Sequence, residues 1–118
     1  MAKKKPYKEI LEHWENVASI GCLVSSSDDA EIHHCKSGSL SKLGIHTSLS
    51  KKNSDWLVIP LSVEWHRGKH GIHTIGVETW ELKFDPQIKL LQVICIMLDV
   101  NVFEKAGYEL IGGRYEKL

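Results

Sequence analysis

Apolar residues near the start of the chain, Ile10, Leu11, Trp14, Val17 and Ala18, recur at three- and four-residue steps. That is the helical period. With Pro6 just ahead as a start signal and Gly21 as a stop, it predicts an amphipathic helix from Tyr7 to about Ser19 packed on a core. Cys22-Leu23-Val24 then reads as a short strand entering a turn at Ser25-Ser26-Ser27-Asp28-Asp29, with Glu31-Ile32-His33 returning as a second short strand. Lys36 to Lys52 is rich in Gly, Ser and Lys without periodicity, which predicts a long mobile loop, the kind of segment that is usually functional or disordered. Trp56 to Leu61 is apolar enough for a strand, and Val63 to Lys69 fits a short helix. Asp85-Pro86 supplies an N-cap and first-turn pair for a helix through about Val100. That helix is apolar almost all round, so it is either buried or covered by a second subunit, a homodimer through 86–100. Asn101 to Leu118 holds a further short helix ended by Gly112-Gly113, and no internal repeat is present.

Composition changes this picture little. A chain of 118 residues with 42% hydrophobic content builds one core, so a single α+β domain is expected over 1–118. Net charge is zero with His neutral, which excludes a global basic field for nucleic acid. The distribution is slightly uneven: residues 1–76 carry ten Lys/Arg against eight Asp/Glu, and residues 77–118 five against seven. Lys3, Lys4, Lys5 and Lys8 crowd the start of the chain. No segment has the form of a signal peptide, and the apolar run Ile88 to Leu98, broken by Lys89 and Gln92, is too short to cross a bilayer, so no membrane partner is expected. Three widely spaced cysteines, Cys22, Cys35 and Cys95, argue against a disulfide framework and for a reducing, cytoplasmic setting.

The candidate chemistry lies in the histidines. Six of seven fall between Glu31 and Trp80, and imidazole both ligates transition metals and moves protons near neutral pH. His66 with His70, or His66 with His73, offers a pair one or two helical turns apart; His33 or His34 offers a third ligand from a strand end. Three such ligands leave a coordination position open, where an ion polarises a phosphate oxygen while a free histidine takes a proton from water. Arg67 or Lys69 would neutralise a phosphate, and the loop carrying Lys51 and Lys52 would lie along a nucleic-acid backbone. His46 and His13 read as solvated side chains without a role.

Four segments in order, Val17 to Cys22, Glu31-Ile32-His33-His34, Ser54 to Leu61, and His66-Arg67-Gly68 followed by Gly71-Ile72-His73, together span about half the chain. In them the sequence resembles the ββα-metal, or HNH, nuclease superfamily, and within it the phage recombination-enhancing nucleases of the Ref type and their small prophage relatives. The resemblance implies a treble-clef-like core over 20–80, flanked by an N-terminal helix and a C-terminal helical extension over 85–118. It implies His33 as metal ligand, His34 as general base, His66 and His73 as ligands from the helix, and Asp55 near the middle position of the motif, holding the loop and the base by hydrogen bonds. His70 is then a reserve ligand. The ion would be zinc, nickel, manganese or magnesium.

The chain departs from the family at its cysteines. Where relatives place two Cys pairs around a structural zinc, this sequence has Cys22 and Ser25, then Ser62 and Trp65, so no structural four-cysteine zinc is expected. Such an ion contributes on the order of 10 kcal/mol to a small fold. Trp65, with Trp14 and Leu23, is the expected apolar replacement. The function expected is a metal-dependent endonuclease hydrolysing DNA phosphodiester bonds, tied to phage recombination in the host cytoplasm and to a recombinase filament as partner. Its activity would weaken around and below about pH 6, because ligands and base must be neutral. Two other readings stand beside it. One is a catalytically inactive HNH-derived module that binds nucleic acid or protein, which fits the lost cysteines, neutral charge and apolar C-terminal helix. The other is a closed, purely structural metal site.

Overall fold

The computed structural model describes residues 5–46 and 55–118. Helix α1 (Lys5–Ile20) buries Ile10, His13 and Val17, one face at helical spacing, and ends at Gly21, whose φ of 88° suits glycine. His13 is not the solvated side chain its polar neighbours suggested: it is 5% exposed, its Nε2 is 3.2 Å from the Trp56 carbonyl, and its ring lies 4.8 Å from the Trp56 indole. A pocket of about 190 Å³ beside it is lined by Glu9, Glu12, Asn16 and Lys105 among others, and holds none of the predicted site residues.

The predicted strand at Cys22 to Val24 is instead a turn, tied to the sheet by one bond, Leu23 N–H to the Pro60 carbonyl at 3.1 Å. Strand β1 (Glu31–His34) therefore has a different partner. It pairs antiparallel with β2 (Val58–Leu61), in the register Glu31 to Leu61, Ile32 to Pro60, His33 to Ile59 and His34 to Val58. All four β2 residues are buried, because α1 packs on the strand and so does a later helix over Gln87–Leu98. Burial on both sides explains a continuous apolar run where a one-sided strand would alternate. Each buried Val, Leu or Ile contributes at most about 1.5–3 kcal/mol.

Between β1 and β2 the predicted loop contains a helix, α2 (Gly38–Lys42), anchored by buried Leu40 and followed by buried Ile45. Two of the loop's lysines, Lys51 and Lys52, lie outside the described residues, as do Lys3 and Lys4. After β2 the chain forms α3 (Val63–His66), breaks, and resumes as α4 (Ile72–Ile75), so the helix expected through Lys69 stops three residues early. Gly71 permits the break to be tight: a Cβ there would stand 2.5 Å from Arg67 N and His66 C.

Helix α5 (Val77–Lys83) leads to α6 (Gln87–Leu98), which buries Gln87, Ile88, Leu90, Leu91 and Ile94 and leaves Ile96 and Met97 exposed. Asp85 does not cap α6. Pro86 occupies the N-cap position, and the first free N–H groups are satisfied from other elements: Gln87 N–H by the Glu81 carboxylate at 2.7 Å, and Ile88 N–H by Ser39 Oγ at 3.0 Å. The tail differs most from expectation. Helix α7 (Val102–Lys105) is followed by a hairpin, β3 (Tyr108–Ile111) and β4 (Arg114–Lys117). Gly112-Gly113, read as a helix stop, is its two-residue turn, with φ of 59° and 86°. Tyr115 secures the hairpin by stacking on Phe103 at 4.5 Å and donating its N–H to the Leu43 carbonyl at 2.7 Å.

The result is a small α+β domain with two antiparallel hairpins around one hydrophobic core. Among the described residues, no helix is long and apolar enough to cross a membrane.

Candidate metal centre

Alternation along β1 sends Glu31 and His33 to one face and Ile32 and His34 to the other. His33 is 2% exposed. It meets His66, the last residue of α3, and His73, in the first turn of α4, with ring centroids 5.1 and 5.2 Å away. One ligand nitrogen from each of these three residues lies within 4.8 Å of the other two. Nitrogens bound to a common zinc at ~2.0–2.1 Å stand no more than about 4.2 Å apart, so small ring rotations close the set. His70 lies outside this cluster: it is exposed, with its ring 5.7 Å from Trp65.

Hydrogen bonds select the nitrogens. His66 Nδ1 donates to Glu31 Oε1 at 2.8 Å, leaving its Nε2 as a lone pair 3.1 Å from His73 Nε2. His33 Nε2 lies 3.0 Å from Gln87 Oε1, and His33 Nδ1 is buried without a hydrogen-bond partner. A buried polar nitrogen without a partner is costly and rare, and an ion shared with two other imidazoles would satisfy it. Burial pushes the His33 imidazole down to about 3. Burial also lowers His73, helped by the Lys36 charge and by that of His66 when it is protonated. Both are thus neutral, ligand-ready groups at pH 7.

Glu31 is the hinge of this face. It accepts from Arg67 through Nε at 3.0 and 3.1 Å and through Nη2 at 2.7 Å, as well as from His66. Those bonds from Arg67 and His66 hold its carboxyl down at about 2. Arg67, expected to meet a phosphate, therefore spends two of its nitrogens on Glu31; Lys69 is exposed.

On the other face His34 is 42% exposed at its side chain, and its Nε2 lies 3.0 Å from Asp55 Oδ1. Trp14 brackets the pair, its indole edge-on to the His34 ring at 5.4 Å and its Nε1 donating to the Asp55 carbonyl at 2.9 Å. Where the resemblance put a zinc knuckle, the Cys22 sulfur accepts the Ser25 N–H at 3.4 Å. Burial raises this thiol, but hydrogen bonds from Ser25 and from the Ser62 and Val24 backbone outweigh it and leave the thiol below its ordinary value. Trp65, Trp14 and Leu23 are all half-buried against the core, although the ring partners of Trp65 are Phe84 and His70.

The sequence reading missed Glu31, Gln87 and Lys36. Glu31 had a signal, since it stands two residues before His33 and so on its face of the strand. Gln87 had a weaker one: it shares the stripe of Leu91 and Ile94 on an apolar helix, a core position holding an amide. Comparison of the chain with protein-family models, with curated proteins and with solved structures returned no match.

Proposed function

We propose that this chain is a metal-dependent endonuclease of the HNH type, hydrolysing phosphodiester bonds in DNA. The observation that carries the reading is one strand, β1, delivering His33 to a three-histidine cluster and His34 to a carboxylate-held position one residue away. His33, His66 and His73 would hold a single divalent ion, and the donor set fits zinc, nickel or manganese better than magnesium. Such an ion supplies Lewis-acid charge to a phosphate oxygen and to the departing alkoxide.

The protein's own groups do the rest. Asp55 accepts the Nε2 proton of His34, so the lone pair lies on Nδ1 of a ring that reaches solvent. His34 Nδ1 takes a proton from water as its oxygen attacks phosphorus, the bond to the leaving oxygen breaks, and Asp55 stabilises the imidazolium that forms. Glu31 keeps the His66 ring oriented, and Lys36, near His73, adds positive charge at the mouth of the site. A phage recombination setting, a recombinase filament as partner and a cytoplasmic location belong to the same proposal.

The test is nicking of supercoiled and single-stranded DNA with magnesium, manganese, nickel or zinc, with chelator and with His34→Ala as controls. Cleavage that needs metal and His34 supports the enzyme. No cleavage above the His34→Ala background under any condition leaves the second reading, an inactive binding module. That reading draws on the engagement of Arg67 by Glu31 and on the exposed Ile96 and Met97.

A further inference from the structure

Gln87 is fully buried, and its partners fix which way round its amide sits. Its Nε2 donates to the Lys36 carbonyl at 2.9 Å and lies 3.4 Å from Glu81 Oε2. Both partners only accept, so a reversed amide would set oxygen against oxygen at each. Gln87 Oε1 must therefore face His33, and an oxygen there requires a proton on His33 Nε2. The lone pair of a neutral His33 is then on Nδ1, the buried atom that has no other partner.

We propose that Gln87 is a positioning residue: by fixing His33 in the Nε2–H tautomer, it selects Nδ1 as the atom offered to a metal ion. The tautomer follows from the amide alone, and its consequence for metal rests on the three-histidine reading above.

The mounting of Gln87 reaches two further elements. Glu81, on α5, accepts from the Gln87 backbone N–H at 2.7 Å, the Ser39 N–H at 3.0 Å and the Ser39 hydroxyl at 2.6 Å. Ser39 Oγ accepts in turn from Ile88 N–H at 3.0 Å. The α6 N-terminus, α2 and α5 are locked to one another through this network, and the His33 ring is referenced to all three. A glutamate at position 87 would face Glu81 with a second carboxylate, whereas a methionine would match the length of Gln87 and remove the acceptor.

Nitrogen-15 spectra of the imidazoles in metal-free protein read the tautomer directly, and zinc affinity is read by competition with a chelating dye. Wild type is expected to show His33 protonated at Nε2. Gln87→Met is expected to mix the tautomers and to weaken zinc binding by about 10–100-fold, as second-sphere changes at metal-bound histidines do. A wild-type His33 protonated at Nδ1 overturns the proposal with no variant needed. A folded Gln87→Met that binds zinc within twofold of wild type overturns it as well. If wild type shows the Nε2–H tautomer but takes up no zinc, the metal half falls together with the metal-centre reading, while the control of the tautomer by Gln87 stands.

Discussion

His33 and His34 leave the same strand one residue apart and meet opposite surroundings. On the His33 face the ring is buried, Gln87 fixes one nitrogen, and Glu31 and Arg67 brace the neighbouring His66, while His73 is exposed. On the His34 face the ring reaches solvent and has a single carboxylate and an indole edge beside it. The contrast follows from strand alternation combined with what packs on each face, since α6 brings an amide to one face and α1 a tryptophan to the other. A ligand must be rigid and neutral, and a base must reach water. On the proposed function one dipeptide would supply both, because its two side chains cannot share an environment.

Two substitutions separate the faces and carry the largest expected effects. His33→Ala should abolish DNA nicking and metal uptake together, because the remaining pair, His66 and His73, leaves the ion without its buried ligand. His34→Ala should lower nicking by about 10²–10⁴-fold while metal affinity stays within a fewfold of wild type. Calorimetric zinc titration of each variant, run beside the nicking assay, checks the split. Equal loss of metal in both variants would mean that the two faces are not distinct.

Gly71→Ala tests the support beneath the first face. With the glycine φ at −75° the backbone itself tolerates a side chain, so the effect is one of space. The added Cβ would meet His66 and Arg67 backbone atoms at 2.5 Å, and backbone cannot step aside as a side-chain tip can. A destabilisation of about 1–3 kcal/mol or more is expected by chemical denaturation. The displacement of His73 from His66 should add a loss of metal affinity. Unchanged stability would show that α3 and α4 can separate without cost.

How much of this was legible in the sequence depends on the range of the signal. The α1 helix, β2 and the α6 helix announce themselves by local periodicity and apolar runs, whereas spacing left His34 and His70 open beside His33, His66 and His73, and only the family resemblance singled out those three. The pairing of β1 with β2 was not legible, because Cys22 to Val24 is nearer in sequence and equally apolar; the choice is made by α1 packing on a strand 24 residues after β1 ends. Gly112-Gly113 is compatible with a helix stop or a hairpin turn, and only the pairing of Tyr108 to Ile111 with Arg114 to Lys117 decides. Gln87 lies 54 residues from His33, so nothing local ties them.

Acid should reveal the buried face by a smaller, graded effect. His33 titrates at about 3 in the folded, metal-free protein against an ordinary 6.5, so between those values the unfolded chain binds a proton that the native state does not. Stability is therefore complete above pH 6.5 and declines as pH falls toward 3. Glu31, held at about 2 against 4.5, adds a second decline between pH 4.5 and 2, reduced by its partial exposure. Urea midpoints in chelator at pH 7, 5 and 4 should fall in that order, and His33→Phe should flatten the pH 7 to 5 step. A wild-type midpoint that rises on acidification would contradict a buried neutral His33.

The smallest expected effect falls on Arg67, and it discriminates most finely between bracing a ligand and binding substrate. An arginine that neutralises a phosphate contributes about one unit to the slope of log affinity against log salt. Arg67 is 60% exposed at its side chain, yet its Nε and Nη2 are both committed to Glu31, an ion pair that solvent screens strongly at such exposure. If its task is to hold Glu31 on His66, Arg67→Ala should weaken zinc binding a fewfold and leave the salt slope of DNA binding nearly unchanged. Lys69→Ala should lower that slope without touching zinc. The opposite pattern would require Glu31 to release the guanidinium when DNA arrives, and the brace on His66 would then be a property of the DNA-free protein alone.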